Sequence, residues 1–237
     1  MILLKAIGEP IEKLRGHVAR GLIAIGAGPN VLTVIGFLIN VGAGVCFAFG
    51  YFRCAVALII LSSAFDMLDG TVARLSGKTT RFGGFLDSSP DRYGDIALFG
   101  GIIVYFMRAG DDLVVVLGVT ALLGSLLISY TRARAECFID SCKVGFFERG
   151  ERTVTLMCAA VTYNMPAALW ILAVATQWTV IIRIHHTWRT LAGRPVPPAN
   201  TVSGQLYHIL FWDFNRGSLQ FDVLAIVTAA CALWLPL

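Results

Sequence analysis

Residues 65–95 read FDMLDGTVARLSGKTTRFGGFLDSSPDRYGD and place five aspartates in a chain that is otherwise mostly apolar. They are Asp66, Asp69, Asp87, Asp91 and Asp95. A buried carboxylate is costly unless a hydrogen bond or an opposite charge compensates it. The stretch also joins two long apolar segments, so its carboxylates are expected at the ends of two helices. Both the fold and the function depend on what these carboxylates bind.

The composition is that of an integral membrane protein. Of the 237 residues, 57% are hydrophobic and only 14% are charged, and the mean hydropathy is +0.73. A soluble domain carries about 25% charged residues, whereas a membrane span needs about 20 consecutive, mostly apolar residues. We therefore predict an all-α membrane protein with several transmembrane helices.

Six apolar segments are predicted to cross the membrane as a helix bundle. Helix-breaking residues separate them: Pro29 and Asn30 precede the first segment, Gly50 follows it, and Pro166 opens the last. The predicted spans are about 31–50, 54–73, 84–107, 112–133, 152–163 and 166–188.

The chain is expected to have three parts. Residues 1–28 are predicted to form an amphipathic helix at the membrane interface, and residues 29–190 form the six-span domain. Residues 191–237 contain a polar, proline-containing linker and an apolar segment, 219–237, which fits either a seventh span or a helix along the bundle. The basic side chains of this helix are predicted to face lipid headgroups, and the alternative is an ordinary cytosolic helix; these side chains are Lys5, Lys13, Arg15 and Arg20.

The basic residues are strongly biased to one side of the predicted bundle. Arg53 and Arg108 are the only basic residues in the loops at about 51–53, 108–111 and 164–165. The other 17 of the 19 Lys and Arg residues lie on the side of the bundle that carries the N-terminus. Because cytoplasmic loops are enriched in Lys and Arg, this side is predicted to face the cytoplasm. The expected location is the inner, cytoplasmic membrane of the cell, with the acidic stretch at its cytoplasmic face.

The spacing of the aspartates favours a metal site. Asp66 and Asp69 are three residues apart and Asp87 and Asp91 are four apart, so each pair projects from one face of a helix. Carboxylate oxygens suit Mg²⁺ or Mn²⁺. Two such ions about 3.5–4 Å apart would neutralise four carboxylates and bind a phosphoryl group.

Neighbouring residues suit a phosphate-containing ligand. Gly70 leaves room for a ligand to approach the backbone, and Arg74, eight residues after Asp66, is expected near the same helix face. The alternative is a network of salt bridges between the helices. Acidic residues inside a membrane more often mark a functional site than a structural one.

The residues at these positions match a known signature. The stretch reads Asp66-x2-Asp69-Gly70-x2-Ala73-Arg74-x8-Gly83-x3-Asp87-x3-Asp91, with every position filled. It resembles the signature of the CDP-alcohol phosphatidyltransferases, a family of integral membrane enzymes. The resemblance implies a role in phospholipid biosynthesis, in which CDP-diacylglycerol donates its phosphatidyl group to an alcohol and CMP is released.

The resemblance also implies roles for individual residues. Asp66, Asp69 and Asp87 would hold one metal ion, Asp66, Asp87 and Asp91 the second, and Asp91 would act as the general base. Asp95 falls outside the signature and is interpreted either as a residue of the helix face or as one that supports the metal ligands. Family members are often homodimers, so a homodimer is expected. The site for the CDP-lipid would comprise Asn30, Val31, Leu32, Thr33, Gly70, Arg74 and Thr80.

A second group of charged residues bears on the acceptor alcohol. The segments SYTRARAE (129–136) and ERGER (148–152) resemble those of bacterial phosphatidylinositol-phosphate synthases. On that resemblance Arg134, Arg152 and Arg183 would bind the phosphate of inositol 1-phosphate, and Arg132 stands where those enzymes carry a lysine. Glycerol 3-phosphate is the competing acceptor, since it also offers a hydroxyl and a phosphate.

Other functional classes are weighed against this one. A metal-ion or proton transporter would use the same carboxylates, but transport sites usually lie near the membrane midplane and these acids lie at one end. No GxSxG, P-loop or GxGxxG motif occurs, which argues against an esterase, an ATPase or a dinucleotide enzyme. The expected partners are CDP-diacylglycerol, a phosphorylated polyol and membrane lipids, with no nucleic acid.

Overall fold

The computed structural model describes residues 2–194, with side chains for residues 12, 14–86 and 88–194. Within them the chain is helical, without strands, which confirms the all-α class for this part of the chain. The predicted C-terminal apolar segment 219–237 lies outside the described residues. The helices are α1 (Ile2–Ala24), α2 (Pro29–Ala48), α3 (Phe52–Leu75), α4 (Arg81–Ala109), α5 (Asp112–Ala135), α6 (Arg149–Thr162) and α7 (Met165–Leu191).

Four of the described helices, α2, α3, α5 and α7, are long and apolar enough to cross a membrane. Each of the six predicted spans overlaps one of the helices α2–α7, but α4 and α6 are not among the four helices that meet both conditions. With 29 residues α4 is long enough. The first half of α4 contains acidic and basic residues. With 14 residues, α6 is only about 21 Å long.

The helix ends fall at residues with special backbone preferences. Pro29 occupies the first turn of α2, where its missing N–H breaks no hydrogen bond. Gly50 has a positive φ of 78° in the short turn between α2 and α3, a conformation that favours glycine. Tyr163 ends α6 in the left-handed region, and Pro166 follows in the first turn of α7.

The chain divides into two compact units, residues 1–101 and the residues from 102 onward. In the first unit α2 and α1 both pack against α3. Ala19 of α1, Leu32 of α2 and Val72 of α3 are buried together. The Ser62 hydroxyl donates a hydrogen bond of 2.8 Å to the Gly36 carbonyl and so joins α3 to α2. This packing places the start of α2 beside the end of α3.

Two glycines let α2 and α4 touch backbone to backbone in the first unit. A Cβ added to Gly101 would overlap the carbonyl of Gly44, and one added to Gly44 would overlap the carbonyl of Ala97. Small residues at helix crossings are typical of membrane proteins, where close packing replaces the hydrophobic effect between helices.

The second unit is built on the packing of α5 and α6 against α7. Gly124 of α5 faces Thr176 of α7 so closely that any side chain would overlap it. The Gln177 side chain donates to the Thr120 carbonyl at 3.2 Å. Between α5 and α6, the non-helical segment 137–148 buries apolar side chains, including Phe146 and Phe147.

Gly101→Ala should destabilise the protein, because the new methyl group must displace the Gly44 backbone. Overpacking of this kind costs about 1–3 kcal/mol, and thermal unfolding of the purified protein in detergent measures it. The matched control is Gly100→Ala, whose Cβ would meet nothing within 4 Å. Equal melting temperatures for the two variants would contradict the close approach of α2 and α4.

Candidate functional site

A cavity of about 490 Å³ lies in the first unit, where the starts of α2 and α4 meet the last turns of α3. Its volume is typical of a site for a small molecule or cofactor. The cavity brings together seven of the residues that the sequence assigned to metal or lipid binding: Asn30, Thr33, Asp66, Asp69, Gly70, Arg74 and Thr80.

Other predicted residues lie apart from the cavity wall. The side chain of Val31 is 55% exposed, whereas Leu32 is buried in the core between α1, α2 and α3. Asp91 lies on α4 and does not line the cavity. The side chain of Asp87 is not among those described, so the structure does not test its part in the site.

Asp69 is the buried carboxylate of the cavity, with an exposure of 5%. The Thr33 hydroxyl donates to Asp69 Oδ2 at 2.6 Å and also lies 3.2 Å from the Pro29 carbonyl. This hydrogen bond joins the first turns of α2 to the end of α3. Thr33 therefore fixes the orientation of the Asp69 carboxylate.

The acidic side of the cavity has the chemistry of a divalent-metal site. Asp66 and Asp69 lie three residues apart on α3 and both line the cavity. Their oxygens are the ligands that Mg²⁺ and Mn²⁺ prefer. Among the described side chains, which exclude Asp87, no three His, Cys, Asp or Glu residues form a metal-binding group. The four-aspartate set stays a prediction.

The other side of the cavity suits an anion. Arg74 and Lys78 follow the aspartates, and Arg74 Nη2 lies 3.3 Å from the Thr71 hydroxyl. The first turns of α2 and α4 also face the cavity, and helix N-termini carry a partial positive charge. Thr80 accepts a hydrogen bond of 2.9 Å from the Gly83 N–H and so caps α4.

Asp91 and Asp95 lie one turn apart on α4. Arg92 Nη1 lies 3.8 Å from Asp91 Oδ2 and donates to the Ser88 carbonyl. Pro90, immediately before Asp91, has no N–H and so omits one helical hydrogen bond at this point. Asp95 is 6% exposed. The role of Asp95 in the site stays a prediction.

In the second unit, Arg183 of α7 is almost completely buried, with an exposure of 1%. Its Nε donates to the Val144 carbonyl at 3.1 Å, its Nη1 to the Ile128 carbonyl, and its Nη2 to Glu148 Oε1 at 3.2 Å. Arg183 therefore ties α7 to the end of α5 and to the segment that precedes α6.

Arg132 is held between two carboxylates. Its Nε donates to Glu136 at 3.0 Å, and its Nη1 lies 3.5 Å from the same Glu148 oxygen that binds Arg183. Burial acts to raise the pKa of Glu136, but hydrogen bonds from Arg132 and the Cys142 N–H, with the nearby positive charges, lower this pKa below its ordinary value. Glu136 is therefore ionised at neutral pH.

The other two predicted acceptor arginines have different surroundings. Arg152, with an exposure of 3%, donates to the Phe147 carbonyl at 3.2 Å. Arg134 is exposed and its guanidinium lies 4.8 Å from the centre of the Phe138 ring. The structure thus groups Arg132 and Arg183 around Glu148 and places Arg134 at the surface.

Two cationic residues of the cavity, Arg15 and Lys78, were not assigned to the site from sequence. The sequence placed Arg15 of α1 among the residues that face lipid headgroups. Its place in the cavity depends on how α1 packs against α3, which no local pattern specifies. Lys78 lies in sequence between the two aspartate pairs and four residues after Arg74. Its positive charge at this position could have identified it from the sequence as a site residue.

Comparisons with known proteins all point to one enzyme family. The sequence model of the CDP-alcohol phosphatidyltransferases matches residues 27–188. Archaetidylinositol phosphate synthase of Methanothermobacter thermautotrophicus is 37% identical over 168 residues, which cover 68% of this chain and 84% of that protein. Phosphatidylinositol phosphate synthase of Mycobacterium tuberculosis is 36% identical over 184 residues, covering 72% and 84% respectively.

Solved structures of the M. tuberculosis synthase have a similar fold. The crystal structure with CDP-DAG bound has a TM-score of 0.70 and 33% identity, and the match covers 74% of this chain and 94% of that one. The complex with manganese and citrate has a TM-score of 0.70 and 34% identity, with coverage of 73% and 88%.

If Asp69 is a metal ligand, as the sequence predicts, Thr33→Val should weaken Mn²⁺ binding by about 10–100-fold, because residues that orient a metal ligand have effects of this size. Calorimetric titration of the purified protein with Mn²⁺ measures the affinity. The matched control is Thr33→Ser, which keeps the hydroxyl and should bind Mn²⁺ nearly as tightly as the wild type. An unchanged affinity in Thr33→Val would show that Thr33 does not position Asp69.

Proposed function

Because the chain belongs to the CDP-alcohol phosphatidyltransferase family, we propose that it transfers the phosphatidyl group of CDP-diacylglycerol to inositol 1-phosphate and releases CMP. The names of the relatives support an inositol phosphate acceptor, and the related structure with CDP-DAG bound supports the donor. The observation that carries the proposal is the cavity in which Asp66, Asp69 and Arg74 meet.

The transporter alternative is not favoured, since the family and the similar proteins are transferases. Glycerol 3-phosphate remains the competing acceptor within the same chemistry. It differs from inositol 1-phosphate in the alcohol and not in the phosphate, so a direct comparison of acceptors separates the two.

The donor's diphosphate would lie in the cavity. Arg74 and the N-terminal ends of α2 and α4 provide positive charge and N–H donors for phosphate oxygens. Gly70 leaves space beside Arg74, since a Cβ there would have only Arg74 Nη1, at 3.8 Å, as a neighbour. Asn30, Thr33 and Thr80 would complete the polar wall, and the backbone of Val31 and Leu32 would hold the start of α2 in place.

Asp66, Asp69, Asp87 and Asp91 would hold two divalent ions, Mg²⁺ or Mn²⁺. The manganese complex of the M. tuberculosis synthase supports a divalent metal, and the carboxylate oxygens of the cavity fit one. Bound metal ions would supply charge neutralisation at the diphosphate. Thr33 would keep the Asp69 carboxylate turned in one direction for this purpose.

Asp91 would accept the proton of the acceptor hydroxyl, as a general base. The hydroxyl oxygen forms a bond to the phosphorus that carries the diacylglycerol. The bond from that phosphorus to the bridging oxygen breaks, and CMP leaves with the electron pair. Arg74, beside the leaving phosphate, would stabilise its growing negative charge.

Arg132, Arg134, Arg152 and Arg183 would bind the phosphate of the acceptor. Guanidinium groups pair with phosphate through two parallel hydrogen bonds. Arg183 and Arg152 are buried and held by backbone carbonyls, so they would offer donors from fixed positions. Arg134 is exposed and would be free to turn toward the ligand.

We further propose that α2–α7 each cross the membrane and that α1 lies at its interface. Residues 1–28 would form the interfacial helix, 29–190 the catalytic domain, and 191–237 a linker with a C-terminal apolar segment. The bias of Lys and Arg supports a cytoplasmic active site in the inner membrane. At about 21 Å, α6 is shorter than the hydrocarbon core, so the residues that flank it would complete its crossing. The homodimer is proposed on family resemblance.

The purified protein, incubated with CDP-diacylglycerol and Mg²⁺ or Mn²⁺, tests the reaction. Inositol 1-phosphate, glycerol 3-phosphate and inositol are supplied separately and CMP release is followed. We expect the highest kcat/KM with inositol 1-phosphate. A higher kcat/KM with glycerol 3-phosphate would make that compound the acceptor in place of inositol 1-phosphate. Absence of CMP with every acceptor would overturn the proposed function.

Asp91→Asn should abolish turnover while binding of the CDP-lipid survives, because the amide cannot accept the hydroxyl proton but keeps the shape of the side chain. Loss of a general base costs about 10²–10⁴-fold in kcat. Single-turnover CMP release and titration with CDP separate chemistry from binding. Asp95→Asn is the control one turn away and should retain the chemical step. Full activity of Asp91→Asn would refute the role of Asp91 as the base.

A further inference from the structure

The N-terminal helix α1 contributes a side chain, Arg15, to the cavity that α2, α3 and α4 form. We propose that Arg15 binds the diphosphate of the CDP-linked donor, so that α1 is a wall of the donor site. This inference rests on the proposed function for the identity of the donor. It assigns to α1 a role in recognition, in addition to its predicted place at the membrane interface.

The packing of α1 brings Arg15 to the cavity. Ala19 is completely buried against Leu32 of α2 and Val72 of α3, with Leu22 of α1 packed beside them. Arg15 precedes Ala19 by four residues, and residues four apart lie on the same face of a helix. The helix face that packs onto α2 and α3 therefore also carries Arg15, one turn nearer the N-terminus.

The hydrogen-bonding groups of Arg15 suit an anionic ligand. Its Nε is buried and has no hydrogen-bond partner within the described part of the chain. Its Nη2 lies 3.8 Å from Glu12 Oε1, beyond hydrogen-bond distance, and the Glu12 side chain is 77% exposed. A buried N–H without an acceptor costs free energy. Phosphate oxygens would provide acceptors for the planar guanidinium.

The charges around the cavity point to a ligand with more than one negative charge. Arg74 and Lys78 come from α3 and the turn after it, and Arg15 comes from α1. Three cations from separate segments would surround a diphosphate more completely than a single phosphate. The carboxylates of Asp66 and Asp69 share the cavity, where they would act through metal ions on the same group.

A second arginine on the same helix, Arg20, lies away from the cavity and provides a control. Arg20 is exposed and donates its Nε hydrogen to the carbonyl of Gly16 in its own helix at 3.2 Å. It does not line the cavity. Attraction of α1 to anionic lipid headgroups would involve both Arg15 and Arg20. Of these two arginines, only Arg15 would take part in binding the donor.

The test compares Arg15→Ala with Arg20→Ala in the full chain. Calorimetric titration with CDP in the presence of Mg²⁺ measures binding of the nucleotide diphosphate without the lipid tails. Arg15→Ala should weaken CDP binding by about tenfold, in the range expected for a lost charge-assisted hydrogen bond. It should raise the KM for CDP-diacylglycerol more than the KM for the acceptor. Arg20→Ala should bind CDP as the wild type does.

Arg15→Lys keeps the positive charge and most of the side-chain length, and should lose part of the affinity because it lacks the planar guanidinium. It also keeps the proposal testable if Arg15→Ala does not fold. Wild-type CDP affinity in both Arg15 variants, or equal losses in Arg15→Ala and Arg20→Ala, would overturn the proposal. If the wild type binds CDP but releases no CMP with any acceptor, the proposed reaction fails independently of the Arg15 assignment.

Discussion

The hydrogen bond from Thr33 to Asp69 is the interaction on which the first unit's site depends. Asp69 is almost fully buried where α2 and α3 pack. A carboxylate there requires compensation. Thr33 supplies a short hydrogen bond of 2.6 Å, and the cations of the cavity wall supply positive charge. The contacts that stabilise the buried carboxylate also hold it in one orientation, as the proposed metal site would require.

The start of α2 and the end of α3 meet because the two helices form an antiparallel pair. Gly50 permits the tight turn at one end, and Ser62 joins α3 to Gly36 of α2 along the pair. The other end brings the Pro29–Thr33 turn opposite Asp66 and Asp69. Two kinds of electrostatic feature therefore share one cavity: carboxylates from the end of α3, and partial positive charge from the starts of α2 and α4. A metal-bound diphosphate is a ligand that satisfies both.

The local features of the fold and site could be predicted from sequence, because each depends on short-range spacing. Pro29 begins α2, Gly50 lies in the turn after it and Asn164 precedes α7. The three-residue spacing of Asp66 and Asp69 places both on one face of α3. Features that depend on tertiary packing could not be predicted. The close approach of Gly44 and Gly101 involves residues far apart in sequence, and the position of Arg15 depends on how α1 packs against α2 and α3.

The arginines of the second unit show why residue type alone does not reveal a role. Sequence assigned Arg183 to the acceptor phosphate, and the structure shows it joined to two backbone carbonyls and to Glu148. These roles are compatible, because a guanidinium has five N–H donors and a buried one must be held rigidly. Glu148 also binds Arg132, so its charge balances two arginines before any phosphate arrives. In the proposed acceptor site, an incoming phosphate would use the N–H donors that these contacts leave, beside the Glu148 carboxylate. The proposed binding of the acceptor phosphate would therefore depend on Glu148 as well as on the arginines.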